Sequence, residues 1–393
     1  MSVSTGAPRF LLLSLCLAGL AANVSGRIIE PLVTLISAEF AVGVALAALL
    51  SSAYALPFAL GQPILGPIGD IFGKIRLLRV SLWVLLAALV AAAAAPTFET
   101  LALARFLAGL AAGGIVPSCM ATIGDSYPPE NRQVAISIFV TMGLLAQIFA
   151  TSASGIVGEN LGWRVVLLAG AVFALTGAIA ATFGLRAPAP AARPAFSVAN
   201  AAANYQSVFR NPKALLCYST VFLEGVALYG ALPYVGAILV RQGAGGASEA
   251  GVIIGAMGVG GLVYVCFVSL LLRRFNRRQF MAVGGPVMAV GLLTLAAGAP
   301  WQATAAAFAV SGFGFMLLHN SIQTEAVDLA PGARQSAYSL HAFSFFSGQA
   351  AGPPVFALVA ANANDVSALV TSAFILAATG VVMAFLFGRL ERP

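Results

Sequence analysis

The chain has 393 residues, of which 60% are hydrophobic and 8% charged, and its 20 Lys and Arg outweigh 13 Asp and Glu for a formal charge of +7. A water-soluble surface needs roughly 25–35% charged side chains, so a soluble globular protein is excluded and a polytopic membrane protein is predicted. The basic excess is spread singly or in short groups between apolar runs, which excludes a nucleic-acid-binding patch and is the pattern by which membrane proteins set their orientation.

On a ruler of about 20 apolar residues per span, membrane helices are predicted near 10–36, 42–65, 77–95, 101–124, 133–157 and 163–185. A second set follows near 213–240, 250–272, 280–298, 302–325, 335–360 and 366–388. Between them, 186–212 is rich in Ala and Pro and carries Arg186, Arg193 and Arg210, the composition of a flexible linker. Arg9 and the apolar run Phe10 to Leu20 imitate a secretory signal, but apolar character continues to Ile36, so an uncleaved first span is predicted.

The halves also repeat. Pro129-Glu130-Asn131-Arg132-Gln133-Val134-Ala135-Ile136-Ser137 recurs 202 residues later as Pro331-Gly332-Ala333-Arg334-Gln335-Ser336-Ala337-Tyr338-Ser339, and the same offset lays Pro31 on Pro233. The expected fold is therefore an all-α membrane protein of twelve transmembrane helices in two pseudo-symmetric six-helix bundles, 1–185 and 213–393, joined by a cytoplasmic linker at 186–212. Sixteen of the twenty Lys and Arg fall on the side of the amino terminus, Arg164 and Arg241 on the other, and Arg27 and Arg105 within spans. That bias puts both termini and the linker in the cytoplasm of a cell with an inner membrane.

Within span one, Asn23, Arg27 and Glu30 share a face. A charge there is costly unless it is paired or faces a water-filled cavity. Two readings stay open: a self-neutralising Arg27–Glu30 pair, or Arg27 binding an anionic or polar substrate. After span two comes Gly66-Pro67-Ile68-Gly69-Asp70-Ile71-Phe72-Gly73-Lys74-Ile75-Arg76, whose acid, bases and glycines are expected in a tight turn between two spans.

That spacing, G-x-x-x-D-x-x-G-K-x-R, resembles the loop 2–3 signature of the major facilitator superfamily, the twelve-helix secondary transporters. Arg105-Phe106-Leu107-Ala108-Gly109 with Gly113-Gly114 is similar to its fourth-helix motif, and Gly162-Trp163-Arg164 to its opening of helix six. The resemblance implies a cytoplasmic gate of Gly66, Asp70, Gly73, Lys74, Arg76 and Asp125, in which Asp70 latches helix ends together. It also implies a role for Arg105 in substrate binding or proton coupling, alternatively as a structural partner of Glu30. The proton-coupled exporters of the family carry Gly-Pro in helix five, where this chain has Ala150-Thr151. Gly348-x-x-x-Gly352-Pro353 stands at the corresponding place in span eleven.

Glu224 lies about 11 residues into span seven, roughly 16 Å deep, with no base near it in sequence. An isolated intramembrane acid is a functional candidate by default, and it is the group expected to load and release a proton, whereas Glu30 beside Arg27 is expected to stay ionised. His319 and His341, placed toward the cytoplasmic side, are further proton-coupling candidates. Tyr54, Phe58, Tyr229, Tyr234, Phe313, Phe343 and Phe346 are candidate pathway aromatics, with Asn23, Tyr54 and Tyr229 as cavity residues. Cys16, Cys119, Cys217 and Cys266 all lie in apolar runs without ligand spacing, so no disulfide or metal frame is expected.

No nucleotide-binding loop and no nucleophile with a base appears, so an enzyme is not predicted. The predicted function is alternating-access transport of a small organic molecule, as efflux driven by proton entry, with no cofactor beyond the proton gradient. The expected partners are substrate, protons and the lipid bilayer, the protein being a monomer. The alternative within transport is an uptake symporter or facilitator; the alternative of another class is a non-transporting receptor or sensor, for which no soluble output domain is visible.

Overall fold

A computed structural model describes residues 9–185 and 198–390. Among them the first half of the chain contains α1 (Arg9–Arg27), α2 (Val33–Glu39), α3 (Val44–Phe72), α4 (Lys74–Ala93), α5 (Phe98–Gly113), α6 (Ile115–Ser126), α7 (Pro129–Leu161) and α8 (Trp163–Gly184). After α9 (Val198–Phe209) the second half contains α10 (Ala214–Glu224), α11 (Val235–Gln242), α12 (Ala247–Leu271), α13 (Arg277–Ala296), α14 (Trp301–Asp328), α15 (Arg334–Asn362) and α16 (Asp365–Leu390). Eleven stretches are long and apolar enough to cross a membrane. The stretch expected as the eleventh span, α15, is 29 residues long but carries Gln349, Pro353 and Pro354, which dilute its apolar character.

Three of the crossings are built from two pieces: Phe10–Glu39, Phe98–Ser126 and Ala214–Gln242. The sequence predicts spans one and seven as continuous, and the structure corrects both. In span one, α1 stops at Arg27 and a 3-10 turn, Glu30–Leu32, begins around Pro31. In span seven, α10 passes into a π-helical turn, Gly225–Tyr229, and then a 3-10 turn, Leu232–Tyr234, around Pro233. Proline lacks the amide hydrogen that a continuing helix would use and fits the first position of a new turn. The two 3-10 turns, 202 residues apart, touch each other.

The turn after span two is also tighter than predicted. Helix α3 runs on to Phe72, so Gly66 to Asp70 is helical, and one residue, Gly73 at φ +98°, reverses the chain into α4. Gly162, at φ +91°, does the same between α7 and α8. A side chain at either position would be forced into a backbone region that glycine alone enters freely.

Within the first half α1 packs on α7 and α8, α4 on α5 and α8, and α3 on α5; within the second, α13 packs on α14 and α16, and α10 on α15. The halves meet along α3 with α15 and along α7 with α12. The second contact is backbone against backbone. A Cβ at Gly251 would lie 2.8 Å from the Thr151 carbonyl oxygen and 3.1 Å from Gly155 Cα, a closeness that only small residues permit. At its far end Glu159 accepts a hydrogen bond from the Ser248 amide at 2.8 Å, so α7 caps α12 across the halves.

Two ion pairs tie the segments after the breaks to the last helix of their own half. Arg164 at the start of α8 pairs with Glu39 at the end of α2, where Trp163 Nε1 also donates to Glu39 at 2.6 Å. Arg241 near the end of α11 pairs with Asp365 at the start of α16. Part of the predicted linker is ordered as α9. Tyr205 donates to the Pro63 carbonyl of α3 at 3.4 Å, and beyond it Asn211 donates to the Leu329 carbonyl at 3.1 Å. The linker residues 186–197, with Arg186 and Arg193, lie outside the described residues.

Candidate functional site

Both broken helices aim their polar residues at the zone where the halves meet. In the first half Arg27 ends α1 and Glu30 opens the 3-10 turn, so the break brings the carboxylate back toward the guanidinium: Arg27 Nη1 to Glu30 Oε1 is 3.3 Å. Glu30 is buried, and its Oε2 has no partner. The pair predicted as self-neutralising is formed. Arg27 does more than that, because its guanidinium carbon lies 4.2 Å from the centre of the Tyr229 ring in the opposite half. A cation over an aromatic face is attracted to the negative quadrupole of the ring, by about 0.5–2 kcal/mol depending on desolvation.

Arg105 on α5 is 1% exposed and is the largest fully buried side chain. It does not join Glu30, which corrects the predicted partnership. Its Nη1 donates to the Ser25 carbonyl at 2.9 Å, and its guanidinium carbon stands 4.4 Å from the Tyr54 ring centre, while Nε has no partner. Ser25 Oγ and the Tyr54 hydroxyl are 3.0 Å apart, and Tyr54 also donates to the Ala22 carbonyl at 3.4 Å. Arg105 thus stitches α1, α3 and α5 together. Asn23, one turn before Arg27, donates to the Gly19 carbonyl at 2.8 Å within its own helix.

In the second half Glu224 closes α10 and is fully buried. The sequence shows it no base, but the fold supplies one from 95 residues away: His319 Nδ1 lies 2.9 Å from Glu224 Oε2. His319 is therefore level with Glu224 and not nearer the linker end of the bundle, as its position in span ten suggests. His341 on α15 presents its ring edge to His319 with centroids 4.9 Å apart and is itself buried. Glu224 Oε1 and His341 Nε2 have no hydrogen-bond partner. Unpaired buried polar atoms cost about 1–3 kcal/mol each, which makes these two atoms candidates for contact with a bound polar group.

Aromatic rings connect the two sets. Phe315 stacks on His319 at 4.8 Å and meets Tyr229 edge-on at 6.1 Å; Phe345 lies 4.5 Å from His319 and 5.4 Å from Tyr229. A second path runs from Tyr54 to Phe58 at 6.1 Å and on to Phe346 of α15 at 4.2 Å. Of the predicted aromatics, Phe313 belongs to a separate cluster with Tyr264, and Tyr234 stacks on Phe356 and donates to the Pro353 carbonyl. Phe315 and Phe345 take the central places that sequence reading gave to Phe313 and Phe343. Each stands four residues from a histidine, the spacing of neighbours on one helix face, and that signal was available.

At the linker end, Lys74 at the start of α4 pairs with Asp125 of α6 at 2.7 Å, and Arg76 is exposed on α4. These gate residues are brought together across 51 positions of sequence. The side chain of Asp70, the expected latch, lies outside the described residues, as does the burial of Gly66. Among the described residues no group of three or more His, Cys, Asp or Glu converges as a metal site, and Cys266, predicted buried, is exposed.

The family model described as Major Facilitator Superfamily matches residues 15–353 and 244–393. An uncharacterized MFS-type transporter of Bacillus subtilis (strain 168), YwfA, is 28% identical over 64% of this chain, a match spanning 62% of that protein's own length. A chloramphenicol resistance protein of Streptomyces lividans is 24% identical over 95% of both chains. The solved nucleoside transporter NupG shares the fold with a TM-score of 0.78 at 16% identity, covering 97% of this chain and all of that one.

Proposed function

The chain belongs to the major facilitator superfamily, and we propose that it exports a small organic molecule across an inner membrane by alternating access, driven by proton entry. Membership makes it a multi-pass membrane transporter and not an enzyme. The finer reading rests on one arrangement above all: the buried Glu224–His319 pair, joined through Phe315, Phe345 and Tyr229 to Arg27 in the other half. A carboxylate and an imidazole in contact can share one proton between them, and a change in water access between two open states would load and release it. Because the aromatic bridge ends on the facing half, the charge of that pair acts at the surface along which the halves rock. Residues 1–185 and 213–393 are the moving bodies on this reading, both termini are cytoplasmic, and the functional unit is the monomer.

Export is favoured by the full-length likeness to a resistance protein, whose substrate supplies a first probe. The second reading, uptake or facilitated diffusion, is favoured by helix five. Helix α7 runs unbroken through Ala150-Thr151, where Thr151 bonds back to the Gln147 carbonyl at 2.8 Å, so the proline kink of the antiporter signature is missing. The deciding experiment uses purified protein in proteoliposomes. A thermal-shift screen of sugars, antibiotics including chloramphenicol, and organic acids selects the probe. Its flux is then followed under an inward-acid and an outward-acid gradient. Export coupled to proton entry predicts uphill movement of the probe against the proton flow; movement with the proton flow, or none above equilibration, overturns it.

A further inference from the structure

We propose that the π-helical turn Gly225–Tyr229 is the coupling element of the transporter: it fixes Tyr229 against Arg27 of the facing half only while Glu224 is held by His319. The inference rests on the proton-coupled reading above and adds the part that transmits it. In an α-helix of 3.6 residues per turn, residues five apart point about 140° away from each other. A turn closed by i to i+5 hydrogen bonds brings them back to one side. Here two such pairs use that geometry. Glu224 and Tyr229 both face α14, at His319 and Phe315, which are one α-turn apart there. Gly225 and Gly230 both face α15, where an added Cβ would lie 2.5 Å from the Phe345 carbonyl oxygen and 2.7 Å from that of Gly352.

With Glu224 and Tyr229 five apart in the chain, the wide turn is what lets them touch the histidine and the arginine at once, and an α-turn between them would separate the two contacts. The stretch 202 residues earlier, 23–27, is ordinary α-helix, with Asn23 and Arg27 four apart. π-turns are rare and marginal relative to the α-helix they interrupt, so the side-chain anchors at their ends decide whether they persist. When the charge of the Glu224–His319 pair changes, the anchor at one end weakens, the turn relaxes toward i to i+4 bonding, and Tyr229 swings off Arg27. That releases one contact between the halves. The groups facing Glu224 are His319 from α14, with His341 of α15 behind it, and Tyr229 from its own helix; Arg27 and Glu30 lie beyond Tyr229. Helix α16 packs on α10 through Met383 at Thr220, and its own charged residues, Asp365 and Arg389, are at its ends.

The test uses the full chain in nanodiscs with no substrate added. Exposed Cys266 is replaced by Ser, and spin labels are placed at Val134 and Leu272, exposed positions on α7 and at the C-cap of α12. The unmodified protein is expected to shift its label separation between mildly alkaline and mildly acidic pH. Deleting Ala227 shortens the turn to a plain α-turn, keeps Glu224 and Tyr229 on one side and leaves everything beyond in register. The deletion is expected to abolish the pH-dependent shift. If the deletion protein does not fold, Tyr229→Leu is expected to lose the shift and Tyr229→Phe, which keeps the ring face, to recover most of it relative to Leu. A shift retained in the deletion protein, or in Tyr229→Leu, overturns the role of the turn while proton coupling stands. A separation that ignores pH in the unmodified protein overturns both.

Discussion

The opening helices of the two halves break at matching places, Pro31 and Pro233, and carry different chemistry into the break. In the first half the charged groups near the break are half-buried Arg27 with buried Glu30, a cation and an anion that neutralise each other, and buried Arg105, a second cation held by the Ser25 carbonyl and the Tyr54 ring. In the second half they are buried Glu224 and His341 with half-buried His319 between them, and among the described residues no arginine or lysine is in an ion pair with them. An arginine stays protonated at any physiological pH, whereas imidazole and carboxylate groups have both a charged and a neutral form. On the proposed coupling, one half presents a fixed field and the other a variable charge. At the offset that relates the halves, Arg27 corresponds to Tyr229, so a position used for a cation on one side is used for the ring that receives it on the other.

The sharpest way to break this contrast is to make the variable side invariant. Glu224→Gln is expected to reduce pH-driven accumulation of the probe to background in proteoliposomes while exchange of probe for probe continues. Uphill accumulation by that variant would transfer the proton to His319 or His341. Next in size is the fixed side. Arg27→Ala leaves Glu30 buried without a partner and is expected to destabilise the protein by about 3–5 kcal/mol, whereas the double change with Glu30→Ala recovers most of that loss. Binding of the probe separates the roles, since recovery of stability without recovery of affinity assigns Arg27 to the substrate, and recovery of both leaves the pair purely structural.

Arg105→Lys tests the second cation. Lysine keeps the charge but lacks the planar fork that stacks on Tyr54 while reaching the Ser25 carbonyl. A loss of about 1–3 kcal/mol in thermal or denaturant unfolding is expected, with the pH dependence of transport unmoved. A shifted pH profile would place Arg105 in the proton path. The smallest effect is at the linker end, where Lys74 and Asp125 are partly exposed, at 31% and 65%. Asp125→Asn is expected to change stability by no more than about 1 kcal/mol and to act, if the pair belongs to a gate, on cysteine accessibility of the linker-side cavity.

The fold was legible because the length of apolar runs is set by bilayer thickness and needs no tertiary information. Pro31 and Pro233 are legible too, aligned under the repeat, but whether a proline only kinks a membrane helix or splits it is decided by the packing around it, which the sequence does not carry. The Glu224–His319 contact had no signature in one dimension, since two polar residues 95 positions apart on different helices meet only through packing. The Glu30 pairing that the sequence offers as one reading of Arg105 does not form, for a related reason. Reasoning by charge looks for an opposite charge, and the structure satisfied the guanidinium with a carbonyl and a ring. The π-turn has no composition of its own, as Gly-Val-Ala-Leu-Tyr is compatible with plain helix, and only its contacts on both sides reveal the added residue.

The outer ion pairs are matched in position and opposite in sign. In the first half the segment after the break ends in an acid, Glu39, that meets a base, Arg164; in the second it nears its end in a base, Arg241, that meets an acid, Asp365. Glu39 and Arg241 are 202 residues apart. During insertion a membrane helix must find its neighbours among many of similar apolarity, and two homologous halves offer each opening helix two similar docking sites. Docking on the wrong half would set Glu39 against Asp365 and Arg241 against Arg164, like charge on like charge. The sign reversal therefore disfavours, on charge alone, a swap of the opening helices between the duplicated halves.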